Sequence, residues 1–402
     1  MFKLATLLLC CWVSLSAGRL TVGGRDFYYN GQKVFLSGVN IAWNSYGYDF
    51  GNGQYAANSK STLESWLTRI DANGGNSVRK ESQNVFYLMF FQCVFKIFQG
   101  MWLHVDGANT PAFDSNGYVT GPDKTGTMIS DMRSFLDFAQ SKNLMVIFVL
   151  WNGAERPQEK ALNLLYDYSK LQTYIDNALK PMVTALGNHP ALAAWEIMNE
   201  PEGLVLNNQY NSDACFDTTP LKDTGAGFAY TNVPMQNILT FVNWQADAIK
   251  QVNSACLVTV GSWSEHAQTD SKAQSRNYYK DSCLKAAGNR NSGKLDFYQM
   301  HTYSNEDGQG NQYWNPDAPF KVTGSSYGLD KPLVVGEFAS VCSEGDDIGN
   351  MFQYVYDNGY QGAWSWHYLE QGKCTDSQEA QNFGMTRIKD QNGNAGAVTF
   401  PL

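Results

Sequence analysis

The sequence predicts a single (β/α)8 barrel, because short apolar runs alternate with stretches that have helical periodicity. Eight such runs occur, and they lack polar alternation, as is typical of parallel strands that are buried on both faces. Eight β-α units in one chain favour a closed barrel over an open sheet. The 43% hydrophobic content is enough for a large core, and no linker or internal repeat divides the chain.

The predicted barrel strands are the eight apolar runs themselves. Upstream of the first run, the segment Leu20–Gln32 contains Gly23-Gly24 and Asn30-Gly31, which predict a hairpin that closes the bottom of the barrel. The predicted strands are Val34–Ala42, Asn76–Arg79, Leu144–Trp151, Leu192–Asn199, Leu257–Trp263, Leu295–His301, Leu333–Phe338 and Gly362–Trp366.

Helices are predicted between the strands wherever apolar residues recur with a period of about 3.6 residues. The first of them ends before Gly74 and Gly75, which are a C-terminal stop signal. The predicted helices are Thr62–Asp71, Met128–Ser141, Leu162–Leu186, Met235–Val252 and Ile348–Tyr356.

The second strand is interrupted in the sequence. Asn76–Arg79 has its natural continuation in Trp102-Leu103-His104-Val105, and the segment Lys80–Gly100 lies between the two. This segment contains many large apolar residues and no Gly or Pro before Gly100, so it suits neither a barrel strand nor a surface loop. Its 21 residues (100 − 80 + 1) keep the reading frame, which suits a retained intron or an error in the gene model. We therefore interpret Lys80–Gly100 as an insertion that impairs the protein and exposes an apolar patch.

The N-terminus predicts secretion. Lys3 precedes the apolar run Leu4–Leu15, and the small residues after it offer a cleavage site near Gly18. Residues 1–18 therefore read as a signal peptide, and residues 19–402 as one catalytic domain. The run is too short to span a membrane. A net charge of −9 argues against nucleic acid as a partner, because phosphate binding needs clustered cations.

Polar side chains stand where the predicted strands end, which is the edge of a barrel that carries active sites. Two of these residues are the carboxylates Glu200 and Glu337, at the ends of strands four and seven. Paired carboxylates are the minimal equipment for cleaving a glycosidic bond: one protonates the leaving oxygen, and the other attacks the sugar or activates water. The other strand-end residues are Arg79, Asn199, His301, Tyr303 and Trp366.

The sequence resembles glycoside hydrolase family 5 in four segments that follow one another in the expected order. Nearly the whole mature chain shares this resemblance, and the residues around Arg79 and Trp102 look most like the invertebrate endo-β-1,4-mannanases of that family. The four segments are Trp195-Glu196-Ile197-Met198-Asn199-Glu200-Pro201, His301-Thr302-Tyr303, Val335-Gly336-Glu337-Phe338 and Trp364-Ser365-Trp366.

The resemblance implies a role for each matching residue. Glu200 would be the acid/base and Glu337 the nucleophile of a retaining enzyme, with carboxyl groups roughly 5–5.5 Å apart. Asn199 would bind the 2-hydroxyl of the −1 sugar, and Trp366 would be the platform beneath it. The remaining expected substrate-site residues are Arg79 and Tyr303, which would orient the nucleophile, His301 beside the acid/base, and Trp102, His104, Trp151 and Trp263 at other strand ends.

The resemblance further implies an enzyme that needs no metal or organic cofactor and cleaves internal bonds of β-mannan. We expect the protein to be a secreted monomer. Two alternatives remain open at this point. One is an endo-β-1,4-glucanase, since mannose and glucose differ only in the orientation at C2. The other is a carbohydrate-binding barrel without catalysis, which the interrupted second strand would favour. Glu196 and Glu202 are interpreted as structural or solvated residues.

Two disulfide bonds are expected among the six cysteines that remain after removal of the signal peptide. Cys215 is expected to pair with Cys283, and Cys342 with Cys374, because each pair joins segments that follow neighbouring strands at the catalytic face. Cys256 begins an apolar strand, and we expect it to be a buried free thiol.

Overall fold

Eight parallel strands close into a barrel in the computed structural model, which describes residues 18–41, 43–80 and 103–402. The strands follow one another around the barrel in chain order, and closure comes from pairing of the last strand with the first, with Gly362 beside Leu36. The predicted fold class is thus confirmed. The barrel strands are β1 Leu36–Ile41, β2 Ser77–Lys80, β3 Met145–Asn152, β4 Leu192–Asn199, β5 Leu257–Ser262, β6 Tyr298–His301, β7 Leu333–Glu337 and β8 Gly362–Ser365.

The strands are buried because helices cover their outer face and side chains fill the barrel. All eight residues of β3 and all eight of β4 are buried, as continuous apolar runs predict. At the bottom, Leu20–Gly23 and Asp26–Tyr29 form the predicted antiparallel hairpin. Phe27 of this hairpin packs edge-on against Phe297, with ring centroids 5.1 Å apart. The bottom of the barrel is therefore closed by apolar contacts, and its polar side chains gather at the opposite end.

Four of the five predicted helices are present in the structure, and the helices Asp281–Gly288 and Gln378–Ile388 were not predicted. Leu162–Leu186 was expected to form one helix, and this was wrong, because the Asp167 side chain accepts hydrogen bonds from the backbone of Ser169 and Lys170 and so starts a new helix. A π-helical turn, Ile175–Leu179, then separates two short helices. The helices are α1 Lys60–Ala72, α2 Met128–Ser141, α3 Glu159–Leu162, α4 Tyr168–Tyr174, α5 Lys180–Leu186, α6 Met235–Val252, α7 Asp281–Gly288, α8 Ile348–Asp357 and α9 Gln378–Ile388.

Both expected disulfides are present in the structure. Cys215 joins Cys283 with Cα atoms 5.1 Å apart, and Cys342 joins Cys374 with Cα atoms 5.2 Å apart. Cys256 is buried and unpaired, as expected. Within the described part of the chain, no helix is both long enough and apolar enough to cross a membrane.

The chain runs along β3 on both sides of the sequence interruption. Lys80 of β2 lies opposite Phe148, and the backbone N–H of Leu103 donates to the carbonyl of Val149, the next residue of β3, at 2.8 Å. His104 donates in turn to the carbonyl of Leu150 at 3.0 Å. Positions 80 and 103 are therefore neighbours along β3. The predicted signal peptide, Trp102 and the predicted insertion after Lys80 lie outside the described residues.

We propose that Lys80–Gly100 is dispensable for the barrel and lowers its activity. If it is removed, Leu103 becomes the third residue after Arg79, which lies opposite Ile147, so Leu103 comes to lie opposite Leu150. The bond that Leu103 donates to Val149 already has the register of such a pair. The shortened chain can thus form one continuous second strand.

We predict that deletion of Lys80–Gly100 raises both soluble yield and specific activity. Arg79 immediately precedes the segment, and a displacement of about 1 Å at such a residue costs on the order of 10²-fold in rate. The two chains are expressed in parallel and compared for soluble yield, melting temperature and release of reducing ends from β-mannan. Equal yields and equal specific activities would show that the segment is a tolerated part of the protein.

Candidate active site

The guanidinium of Arg79 lies at the centre of a buried polar layer at the carboxyl ends of the strands. Its Nε and Nη2 atoms donate to the two oxygens of Glu196 at 2.8 and 2.6 Å. Its Nη1 donates to Glu337 Oε1 at 2.7 Å and to Asn40 Oδ1 at 2.9 Å, and Nη2 also donates to Asn199 Oδ1. Arg79 is 0% exposed, so these bonds replace the hydration that the cation gives up.

Glu337 ends β7 and is held by two donors. Arg79 Nη1 binds Oε1, and the Tyr303 hydroxyl donates to Oε2 at 3.0 Å. Burial raises the pKa of Glu337 above that of a free glutamate, while Arg79 and Tyr303 hold the rise back by stabilising the charged form. Both oxygens are thereby fixed in direction, which is what a carboxylate nucleophile needs.

Glu200 follows β4 in a left-handed backbone conformation, with φ of +41°. Its N–H donates to the carbonyl of Gly261 at 2.6 Å, and its Oε1 lies 2.8 Å from Nδ1 of His301. Burial, followed by the negative charge of Glu337, raises the pKa of Glu200 well above its usual value. Burial and then Arg79 lower the pKa of His301, so the imidazole is neutral at pH 7. Glu337 has two donors that stabilise its charged form, whereas burial and the charge of Glu337 favour the neutral form of Glu200.

The two carboxyl groups are close enough for a retaining reaction. One oxygen of Glu200, one oxygen of Glu337 and a ring nitrogen of His301 all lie within 4.8 Å of one another. Inverting enzymes separate their carboxyls by about 6.5–9.5 Å to leave room for water, whereas retaining enzymes use roughly 5–5.5 Å. These three residues have the donor types that could hold a metal ion, but the Arg79 cation already supplies a positive charge beside Glu337.

A cleft of about 1150 Å³ opens from Glu200 and is bordered by the segments that follow several strands. Drug-sized ligands occupy pockets of about 300–1,000 Å³, so this cleft has room for more than one sugar unit. Two of its aromatic side chains, Tyr230 and Tyr313, are 72% and 46% exposed. The other polar and aromatic residues that border the cleft include Glu155, Arg156, Asp223, Phe228, Trp263, Glu265, His266, His301, Tyr303, Glu306, Asn315 and Lys373.

Most of the residues singled out in the sequence do meet at this end of the barrel. Trp263 is half-buried in the cleft wall and stacks on His266, with ring centroids 5.8 Å apart. The carboxamide oxygen of Asn199 accepts from Arg79, and its nitrogen donates to Asn152 Oδ1 at 3.4 Å. Trp366 lies beside Trp43 at 6.5 Å and is 4% exposed.

The structure does not bring His104 and Trp151 into the cleft. Trp151 is buried against the helices, where its Nε1 donates to Gln245 of α6 at 3.2 Å and its ring contacts Tyr174 of α4. His104 is bonded to Thr110 at 3.0 Å and lies 4.9 Å from the Trp151 ring. Both side chains thus pack in the layer between barrel and helices.

The sequence analysis missed the part that Glu196 plays at the site, because it took only Asn199 and Glu200 from the segment that contains Glu196. The Glu196 side chain is 0% exposed, and Gln299 Nε2 donates to its Oε2 at 2.6 Å. Glu202 is buried too and accepts hydrogen bonds from Tyr279 at 2.6 Å and Ser262 at 2.9 Å. Glu196 and Glu202 are therefore structural residues, as one of the two interpretations expected, and neither is solvated.

Comparisons with known proteins agree with this geometry. The family model for cellulase (glycosyl hydrolase family 5) matches residues 38–370. The mannan endo-1,4-beta-mannosidase of Cryptopygus antarcticus is 46% identical to this chain, over 98% of this chain and 97% of its own length. The mannan endo-1,4-beta-mannosidase of Mytilus edulis is also 46% identical, over 96% of this chain and 95% of its own length.

A solved structure gives the same result in three dimensions. The endo-1,4-beta-mannanase of Eisenia fetida superposes with a TM-score of 0.87 at 44% identity, covering 95% of this chain and 98% of that one. The family match spans most of the barrel, and the relatives are similar over almost the full length. The chain therefore belongs to glycosyl hydrolase family 5.

Proposed function

We propose that this protein is a secreted, monomeric endo-β-1,4-mannanase that works by double displacement, with Glu337 as nucleophile and Glu200 as acid/base. The observation that carries the proposal is the unequal environment of the two carboxyls. Arg79 and Tyr303 stabilise the charge of Glu337, whereas the side chain that contacts Glu200 is the neutral imidazole of His301. One carboxylate and one carboxylic acid within 4.8 Å is the pairing that a retaining glycosidase requires.

In the first step, an oxygen of Glu337 attacks the anomeric carbon of the −1 sugar. The bond from that carbon to the bridging oxygen breaks, and Glu200 transfers its proton to that oxygen. The part of the chain that carries this oxygen leaves with a free 4-hydroxyl, and the other part remains bound to Glu337 as a covalent ester. As the proton leaves Glu200, its hydrogen bond with His301 Nδ1 at 2.8 Å keeps the carboxylate in position.

In the second step, water replaces the leaving sugar beside Glu200, which is now a carboxylate. Glu200 takes a proton from the water while the water oxygen attacks the anomeric carbon, and the ester bond to Glu337 breaks. Two displacements at one carbon retain its configuration. Arg79 and Tyr303 stabilise the charge that returns to Glu337, so the nucleophile is a competent leaving group.

Asn199 is suited to the 2-hydroxyl of the −1 sugar. Arg79 occupies its carbonyl oxygen, so the carboxamide nitrogen is directed elsewhere and can donate to a sugar oxygen. Trp263 and the exposed rings of Tyr230 and Tyr313 offer apolar faces along the cleft for further sugar units. Several such faces support binding of a polymer and cleavage of its internal bonds.

Mannan is the favoured substrate because the relatives similar to this chain over nearly its full length are named for that activity. Secretion is supported by the N-terminal apolar run and by two disulfides, which form in oxidising compartments.

The roles proposed for Glu337 and Glu200 predict different losses of activity when each residue is replaced. We expect Glu337→Gln to lower kcat by several orders of magnitude on every substrate, since no covalent bond can form. We expect Glu200→Gln to be as poor on mannan, yet to lose far less on an aryl mannobioside whose phenolate leaves without protonation. Glu344→Gln, at an exposed carboxylate that pairs with Lys321, is the control. Equal losses on both substrates for Glu200→Gln would contradict its role as proton donor.

Tyr303→Phe tests how the nucleophile is kept ionised. Loss of the hydroxyl that donates to Glu337 Oε2 raises the pKa of Glu337, because that bond stabilises the charged form. The acidic limb of kcat/KM against pH should therefore move to higher pH, by about one pH unit. Tyr210→Phe, at a side chain that is 73% exposed, is the control and should leave the limb in place. An unmoved limb in Tyr303→Phe would show that the bond does not govern ionisation of Glu337.

Substrate preference is tested by release of reducing ends from a panel of β-1,4-linked polymers. We expect turnover of linear mannan to exceed that of carboxymethyl cellulose, and early products to be oligosaccharides of mixed length. Faster hydrolysis of the cellulose derivative would make the protein a glucanase, and binding of mannan without hydrolysis would make it a carbohydrate-binding barrel.

A further inference from the structure

Glu196 competes with Glu337 for one cation. Its two oxygens take two donors of Arg79, at 2.8 and 2.6 Å, whereas Glu337 takes one donor at 2.7 Å. A paired fork of this kind is stronger than a single charged hydrogen bond. The larger share of the Arg79 charge therefore goes to a carboxylate that lies inside β4 and outside the residues that border the cleft.

Glu196 is held in place by a specific hydrogen bond and by the space that a neighbouring glycine leaves for it. Gln299 donates to Glu196 Oε2 at 2.6 Å, which fixes the carboxylate from the side of β6. On β5, a Cβ added to Gly261 would lie 2.5 Å from Glu196 Oε1 and 2.9 Å from Arg79 Nη2. Gly261 thus gives the ion pair the space that a side chain would fill.

We infer that Glu196 is a positioning residue that neutralises most of the Arg79 charge and so leaves Glu337 reactive enough to attack the sugar. This inference rests on the proposed function. An Arg79 cation without Glu196 would stabilise the ionised nucleophile in the ground state, and a more stabilised carboxylate is a weaker nucleophile. Bound to Glu196, Arg79 still fixes the direction of Glu337 through Nη1.

The charge of Glu196 also interacts electrostatically with both Glu337 and Glu200. Its negative charge raises the pKa of Glu337 and of Glu200 alike. Removal of that charge should therefore move both limbs of the pH profile to lower pH. The titratable and charged groups that face the two carboxyls are Arg79 from β2, Glu196 from β4, Glu202 after β4, His301 from β6, Tyr303 after β6, and the carboxyls themselves.

The test is Glu196→Gln in the full chain, with kcat/KM on an aryl mannobioside measured across pH. We expect both limbs to shift down by roughly one pH unit, which is the size of a one-charge change at this range in a protein interior. A purely structural role would lower kcat at every pH and leave the limbs in place. Asp296→Asn, which removes a carboxylate that precedes β6 and pairs with Lys250, is the matched control and should shift neither limb.

A second variant separates charge from shape. Glu196→Gln combined with Gln299→Glu exchanges the two side chains and keeps one negative charge beside Arg79. We expect the limbs to return toward their wild-type positions. Limbs that stay at wild-type positions in Glu196→Gln, or that stay shifted in the exchanged variant, would overturn the inference.

The inference can fail independently of the proposed function. If the wild type hydrolyses no polymer or aryl glycoside, the proposed function fails, and the pKa values are read instead from ¹³C NMR titration of labelled glutamates. In that measurement the Glu337 signal is assigned by its loss in Glu337→Gln. A lower pKa of Glu337 in Glu196→Gln supports the inference, and an unchanged pKa overturns it.

Discussion

A buried guanidinium is the constraint on which the catalytic end of this barrel depends. Arg79 has no exposed surface, and an isolated cation in such a place would be prohibitively costly. Its neutralisation draws Asn40 from β1, Glu196 and Asn199 from β4, and Glu337 from β7 to one point. Because each partner fixes the others, the Glu337 carboxylate is oriented before substrate arrives. Preorganised hydrogen bonds of this kind need no rearrangement during the reaction, which is how they contribute to rate.

The parts of the molecule that could be predicted are those governed by one local rule. Continuous apolar runs predicted the strands, with β4 confirmed at both ends. Polar residues at the ends of those runs predicted that Glu200 and Glu337 lie close together at one end of the barrel. The helix α9 could not be predicted, because its buried face includes Gln378 and Gln381, whose amides bond to backbone carbonyls, and so it lacks an apolar stripe. A helix of this type is specified by tertiary hydrogen bonds, which leave no period in the sequence.

The direction of the side chains at strand ends could not be predicted either. This is why His104 and Trp151 were expected at the substrate site, whereas both lie between the barrel and the helices. Strict alternation along a strand predicts which side chains face the barrel axis, but alternation fails where a strand is irregular. The register between β4 and β5 shifts between Thr259 and Gly261, and Glu196 and Asn199, three residues apart, both reach Arg79. At the same end of β3, Trp151 faces the helices instead of the cleft. Such irregularities decide which strand-end residues meet substrate, and no residue type marks them.

The polar layer in turn explains why glycines occur inside two strands where they would ordinarily weaken the sheet. A Cβ at Gly261 would lie 2.5 Å from Glu196 Oε1, and one at Gly336 would lie 2.4 Å from Gln299 Oε1. Both contacts are far too short, so the space inside the barrel at this level is taken up by the Arg79 network. The same network makes the register of β2 critical, since Arg79 is the penultimate residue of that strand. A barrel built in this way can accept large changes in its loops, whereas a change of register at one strand end would displace a cation and its two carboxylates, Glu196 and Glu337, together.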